Sequence, residues 1–276
     1  MGKRRGRTWG PLDRFFESFR RLPIKIRVGL GAVSAILLVT VLKYFDEDLD
    51  YFFIISESVH AVGILVLIYK LATQKTCSGL SLKTQEFTAL FLAVRLNCNF
   101  YMDVDIHTIL DSISLLSTLW VIYMIRYKLK DTYIEELDSL PRHFVVVPCV
   151  VLAVFVHPYI RNLHINRILW AFSVYMEAIS VLPQLRYMQN AKSVEPVTSH
   201  YVFALGVARI LGFGHWVLRV IETGGHMIWG TGFLWMPMML LAELVQTFIL
   251  FDFCYYYIKS TMAGQMLTIP SQVSIV

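Results

Sequence analysis

Charged residues are scarce in this chain. Asp, Glu, Lys and Arg together make 16% of its 276 residues, where soluble domains carry about 25%. Cysteines number four, Cys77, Cys98, Cys149 and Cys254, and none stands in a CxxC pair. That argues against a zinc site and against a disulfide framework, so free thiols are expected. No Asn-x-Ser/Thr acceptor occurs, so no N-glycan is implied. The chain also lacks a P-loop, an HExxH helix, a nucleophile elbow and a spaced Ser–His–Asp set. Catalysis is therefore not expected, and neither is a cofactor or a metal.

What is abundant is apolar surface. Hydrophobic residues reach 56% and the mean hydropathy is +0.57, above the roughly 45–50% of soluble chains. The expected class is an all-α polytopic membrane protein. The net charge of +5 does not point to nucleic acid, because the basic residues sit beside apolar runs.

Taken in order, residues 1–27 hold nine Lys/Arg and read as a basic cytosolic arm. Residues 28–50 read as an extra transmembrane helix (28–42) followed by an acidic lumenal link with Asp46, Glu47, Asp48 and Asp50. Residues 51–258 then contain seven apolar spans: Tyr51–Tyr69, Glu86–Met102, His107–Ile125, His143–Tyr159, Ile165–Leu185, Tyr201–Glu222 and Trp235–Ile258. A helix crosses a bilayer in about 20 residues. Residues 259–276 read as a cytosolic tail. Lys75, Lys83, Arg126, Lys128, Lys130, Arg142, Arg186 and Lys192 fall in loops 1–2, 3–4 and 5–6. The positive-inside bias puts those loops and both termini in the cytosol.

An internal repeat is visible. Thr84 and Arg95 recur as Thr198 and Arg209, each 114 residues on (198 − 84 and 209 − 95). Two three-helix units, spans 1–3 and 5–7, with span 4 as linker, account for that offset. Parallel repeats of this kind place their site between the halves, near the midplane.

Within the spans lie His60, Arg95, Glu177, Arg209, Arg219 and Asp252. An arginine at bilayer depth costs about 2.5–3.5 kcal/mol on the insertion scale. Arg209 and Arg219 stand ten positions apart on nearly one helical face. Two carboxylates can satisfy two guanidiniums, which leaves a third cation over. The expected site is an electropositive wet pocket for a multiply anionic guest, since arginine grips carboxylates through a two-pronged fork. Trp170 and Trp216 are candidate walls, and His60 is the candidate pH-sensing group. Three guanidiniums splayed apart toward lipid headgroups, or each already clasped by an internal acid, would overturn this expectation.

The stretches CSGLSLKTQ (77–85), ILWAFSVYMEAISVLPQL (168–185), SHY…LG…R…W..R (199–219) and LVQTFILFDFCYYYI (244–258) resemble the KDEL receptor family of endoplasmic-reticulum retention receptors. The resemblance runs from about Glu57 to Pro270. It implies a seven-helix core related in fold to SWEET and PQ-loop transporters. It also implies binding of C-terminal Lys/His-Asp-Glu-Leu peptides for Golgi-to-endoplasmic-reticulum retrieval. Under it, Arg95 and Arg209 hold the terminal carboxylate, Arg219 an acidic side chain, and Trp170 lies beside the signal's first residue. His60 and Glu177 belong to the proton-sensing network, and Asp252 to a polar network of span 7. The chain departs from the family pattern at Phe53, Cys98, Arg167, Ala208 and Gly212, and its lysine-free 260–276 tail leaves recruitment of a vesicle coat open. Arg167 replaces an acid and should disfavour a basic first residue. The other reading is a small-molecule transporter of the PQ-loop type hinged at Pro183-Gln184, for which the first half offers only Tyr69-Lys70 (183 − 114 = 69).

Overall fold

The computed structural model describes residues 51–102, 106–159, 164–191, 195–222 and 234–263. The basic arm, the expected extra helix, most of the Gly-rich 223–234 stretch and residues 264–276 lie outside them. The described chain is a bundle of helices: α1 (Tyr51–Tyr69), α2 (Leu82–Met102), α3 (Ile106–Tyr123), α4 (Arg142–Phe155), α5 (His164–Ile179), α6 (Leu182–Asn190), α7 (Pro196–Glu222) and α8 (Trp235–Ala263). Single π-helical turns, Lys70–Gln74 and Met124–Lys128, prolong α1 and α3. Five stretches are long and apolar enough to cross a membrane: Ile55–Gln74, Thr108–Lys128, His164–Asn190, Pro196–Leu218 and Trp235–Met262. The polytopic all-α class expected from composition is therefore the class observed. Phe100, Ile113, Leu116, Phe155, Phe248 and Phe251 face outward, as side chains bathed in lipid do.

Three spans differ from their sequence outlines for local reasons. The fifth divides into α5 and α6, because Pro183 has no N–H for the Ile179 carbonyl and the chain turns at Ser180–Val181. The fourth is only 14 residues, about 21 Å at 1.5 Å per residue, against a hydrocarbon core of about 30 Å. It ends early because His157 precedes Pro158, and a residue before proline disfavours helix. α8 runs on to Ala263, into the segment read as tail.

The packing pairs the two halves crosswise. α1 lies along α7 and α2 along α5, so the first helix of each half rests on the second helix of the other. Within the halves α3 packs on α2 and α8 on α7. The contacts are close where side chains are small. A Cβ on Gly206 would stand 2.4 Å from Cys254 Sγ, so only glycine lets α7 approach α8 there.

At one end of the bundle the loops interlock. Lys70, fully buried, donates from Nζ to Glu195, to the Ser78 carbonyl and to Thr198 Oγ1, the last at 2.7 Å. Gln184, also fully buried, accepts the Ser81 N–H at 2.9 Å and donates to the Gly79 carbonyl at 2.7 Å. Gly79 holds φ +83°, a left-handed conformation suited to glycine. The positions obey the repeat: 184 − 70 and 195 − 81 are both 114. Each half thus reaches across and holds the chain that leads into the other half's second helix. Ser81 caps α2 by accepting the Thr84 N–H, and Asp138 accepts hydrogen bonds from Ser81, from the Lys83 N–H and from Tyr133. Burial and the Asp138 carboxylate push the Tyr133 hydroxyl pKa up. Loops 1–2, 3–4 and 5–6 therefore share one end, as their common charge implied.

All four cysteines are free and buried. Cys77 donates to the Leu129 carbonyl at 3.2 Å, and burial raises its pKa.

Two outcomes follow. Removing one member of a buried ion pair leaves the other uncompensated, which costs about 3–5 kcal/mol. Glu195→Gln should therefore lower the apparent Tm in detergent more than the double change Lys70→Met/Glu195→Gln does, as thermal unfolding will show. Maleimide should label Cys77 in unfolded but not in folded protein, since both burial and a scarce thiolate oppose attack; mass spectrometry of the labelled peptide reads this directly.

Candidate functional site

Polar side chains inside the spans gather around one carboxylate. Glu177, near the end of α5, accepts from Arg95 of α2 at 2.7 Å on Oε2 and from Arg209 of α7 at 2.6 Å on Oε1. One acid thereby joins the two repeat-related arginines. The Glu177 backbone carbonyl accepts from Gln246 of α8 at 3.2 Å, and the Arg209 carbonyl from Thr247 at 3.4 Å. Arg95 is held further by Asp111 of α3, with Nε to Oδ2 at 2.9 Å and Nη2 to Oδ1 at 2.6 Å. The Phe91 ring lies under this guanidinium at 5.4 Å, a cation–π arrangement.

Helix α1 contributes Glu57 and His60, whose charged atoms lie 4.0 Å apart. Glu57 lies within electrostatic reach of Arg209 and Arg95, and Glu243 of α8 within reach of Arg209. Ser56 donates to the Ala208 carbonyl at 2.7 Å, where Gly63 and the small side chain of Ala204 bring α1 and α7 together. The charged side chains are not sealed. Arg95 keeps 21% of its side-chain surface, Arg209 18% and Glu177 10%, so the described residues do not fully enclose the cluster.

Several sequence expectations need correction. The pocket is not electropositive from the described residues. Four carboxylates (Glu57, Asp111, Glu177 and Glu243) surround two guanidiniums, so the count of two acids was too low. Arg95 and Arg209 are already clasped by internal acids, so the condition set out above as overturning the case for an anionic guest is met by the two of the three arginines whose side chains are described. A guest must therefore displace an acid rather than fill a vacancy. Asp252 is exposed on α8 and joins none of the cluster's hydrogen bonds, so it is not part of a polar network there. The side chain of Arg219 lies outside the described residues. Trp170 and Trp216 pack, half-buried, against the cluster of Phe87, Phe91, Phe172 and Trp235. Sequence reasoning placed Arg95, Glu177 and Arg209 in the site and missed Asp111. The rule that singled out arginines inside apolar runs applies equally to an aspartate in IHTILDSISLL.

Arg167, one turn before Trp170 on α5, has a buried Nε with no hydrogen-bond partner among the described residues. No group of three or more His, Cys, Asp or Glu suited to a metal occurs among the described residues. The arrangement can exchange one carboxylate for another, and a proton for either.

Comparison with known sequences agrees with the geometry. The profile described as ER lumen protein retaining receptor matches residues 76–219, 144 of 276 positions. ER lumen protein-retaining receptor B of Arabidopsis thaliana is 32% identical over 226 residues, covering 81% of this chain and all of that one. The ER lumen protein-retaining receptors of Entamoeba histolytica (31% over 223 residues; 80% and 99% covered) and Petunia hybrida (30% over 226; 81% and 100%) are similarly close. The match spans both arginine-bearing helices and both halves of the bundle. The chain belongs to the ER lumen protein-retaining receptor family, a family of receptors and not of enzymes.

Proposed function

We propose that this protein is a retention-signal receptor that binds the C-terminal tetrapeptides of endoplasmic-reticulum lumenal proteins and returns them from the Golgi. The observation that carries the reading is the Arg95–Glu177–Arg209 bridge. It is a partly accessible guanidinium pair, one member from each half, joined by a single carboxylate. Arg95 and Arg209 take the terminal carboxylate of the signal, and Arg219 an acidic side chain. Trp170 and Trp216 wall the pocket. Protonation of His60 beside Glu57 lowers the negative charge of the chamber and favours an anionic guest, so binding is tighter in an acidic compartment. Both termini face the cytosol, with the receptor cycling between Golgi and endoplasmic-reticulum membranes. The interlocked loops then form its cytosolic end, where vesicle coat machinery would read it.

Arg167 sets the first residue of the signal. Its unpartnered buried Nε repels a lysine and suits an acidic or neutral side chain. The transporter reading gains less support, since Gln184 of the Pro-Gln pair is engaged on both sides of its amide by the chain at Gly79 and Ser81.

Calorimetric titration of the purified protein tests this. A peptide ending -Asp-Glu-Leu with a non-basic first residue should bind with micromolar affinity at pH 5.5 and more weakly at pH 7.4. Arg95→Ala and Arg209→Ala should each weaken binding by about tenfold or more, the loss of one or two charge-assisted hydrogen bonds. No binding of any acidic four-residue tail at pH 5.5 would sink the receptor reading, and organic-acid flux in proteoliposomes would replace it with transport. Arg167→Glu should reverse the preference at the first position towards lysine.

A further inference from the structure

The fork of Arg95 is already occupied. Asp111 meets it edge to edge, two parallel N–H···O contacts of 2.9 and 2.6 Å, the geometry a free carboxylate adopts on a guanidinium. Glu177 takes the remaining Nη1. Arg209 makes its one direct carboxylate contact among the described residues with Glu177. Asp111 is itself buried, stands two turns into α3 and belongs to the same half as Arg95. No other charged side chain of α3 approaches the cluster among the described residues.

We propose that Asp111 is an internal stand-in for the guest's terminal carboxylate, a specificity-determining residue that sets affinity by competing for the Arg95 fork. This rests on the receptor reading given above. The competition is between like groups. The guest's carboxylate replaces the Asp111 carboxylate one for one, so the Arg95 contacts broken and made nearly cancel. The internal competitor is tethered and never diluted. A guest therefore gains from the fork only if the displaced Asp111 finds another resting state. A bare carboxylate left in a partly buried place, next to Glu57 of α1 and Glu177 of α5, is costly. Arg95 of α2 is then taken by the guest, and Arg209 of α7 is occupied by the guest together with Glu177. His60 of α1 is engaged with Glu57, and Glu243 of α8 adds only negative charge. With no unengaged cation facing it among the described residues of the cluster, the displaced Asp111 takes up a proton. Binding and protonation are thus coupled at Asp111, and affinity falls as pH rises because the proton becomes scarcer. The device makes a guest with a free C-terminus bind weakly in neutral surroundings. It is separate from any contribution of His60.

The test uses the purified full-length protein and two probes, a peptide ending -Asp-Glu-Leu and acetate. Asp111→Asn keeps the size of the side chain and removes its charge. At pH 7.4 it should bind the peptide about tenfold or more tighter than the unaltered protein, the scale of one charge-assisted hydrogen-bonded contact. Its dependence on pH between 6.5 and 7.4 should flatten, and the C-terminally amidated peptide should gain nothing. Asp111→Ala opens the fork, and its lowered Tm should be raised by millimolar acetate more than that of the unaltered protein. Binding by the unaltered protein with no gain in Asp111→Asn overturns the proposal while leaving the receptor reading intact. Acetate rescue without peptide binding in any variant supports the fork's exchange and overturns the receptor reading. Neither rescue nor gain overturns the proposal outright.

Discussion

A single carboxylate held between two guanidiniums, inside a bundle with five helices long and apolar enough to cross a membrane, is the constraint on which the rest depends. Isolated charges at that depth are costly, so the helices that carry them are committed to one another. Glu177 bonds to α2 and α7, and its backbone to α8 through Gln246. Asp111 adds α3. Helices that meet only lipid-like surfaces have little to fix their rotation, because lipid is as apolar as their side chains. Here the ion pairs fix it: turning any of the four helices by one residue would leave a charge without its partner.

The same logic operates at the interlocked end, with a difference that bears on motion. There Lys70 and Gln184 reach across between the halves and hold the chain leading into the opposite second helix. Their partners include backbone groups, and both side chains are fully buried. The central cluster instead is made of side chains alone on its charged surfaces and is not fully enclosed by the described residues. The bundle thus joins a fastened end to a less enclosed middle. That division suits a molecule whose guest enters and leaves by one mouth.

Much of this was legible from the residues. Hydropathy located the helices, and the span-1 limits Tyr51–Tyr69 coincide with α1. The 114-residue offset marked out two three-helix units, but their crosswise pairing appears only in the packing. Less visible were features that depend on neighbours distant in sequence. Asp111 lies 16 residues from Arg95 on the next helix, and its charge looks like an ordinary early-span polar residue until the two helices are packed. Lys70 entered the reading only as the counterpart of Gln184, yet it is the most deeply buried lysine described, because its partner Glu195 arrives from 125 residues away. Asp252 read as interior and is exposed, since span membership says nothing about which face a residue occupies on an evenly apolar helix. The break at Ser180–Val181 was foreseeable from Pro183 and was passed over because the apolar run continues through it.

The acid excess around Arg95 and Arg209 changes what the site can select. Were the guanidiniums free, any carboxylate would gain the full ion-pair energy, and a terminal carboxylate alone would suffice for capture. With each guanidinium already paired, a terminal carboxylate gains only the difference between two similar contacts. Discrimination must then come from groups that have no internal substitute. Arg167, with a buried Nε unpartnered among the described residues, is such a group, and it is positioned on α5 one turn from Trp170. Under the proposed receptor function, a guest would be chosen by the side chains that precede its C-terminus more than by the terminus itself.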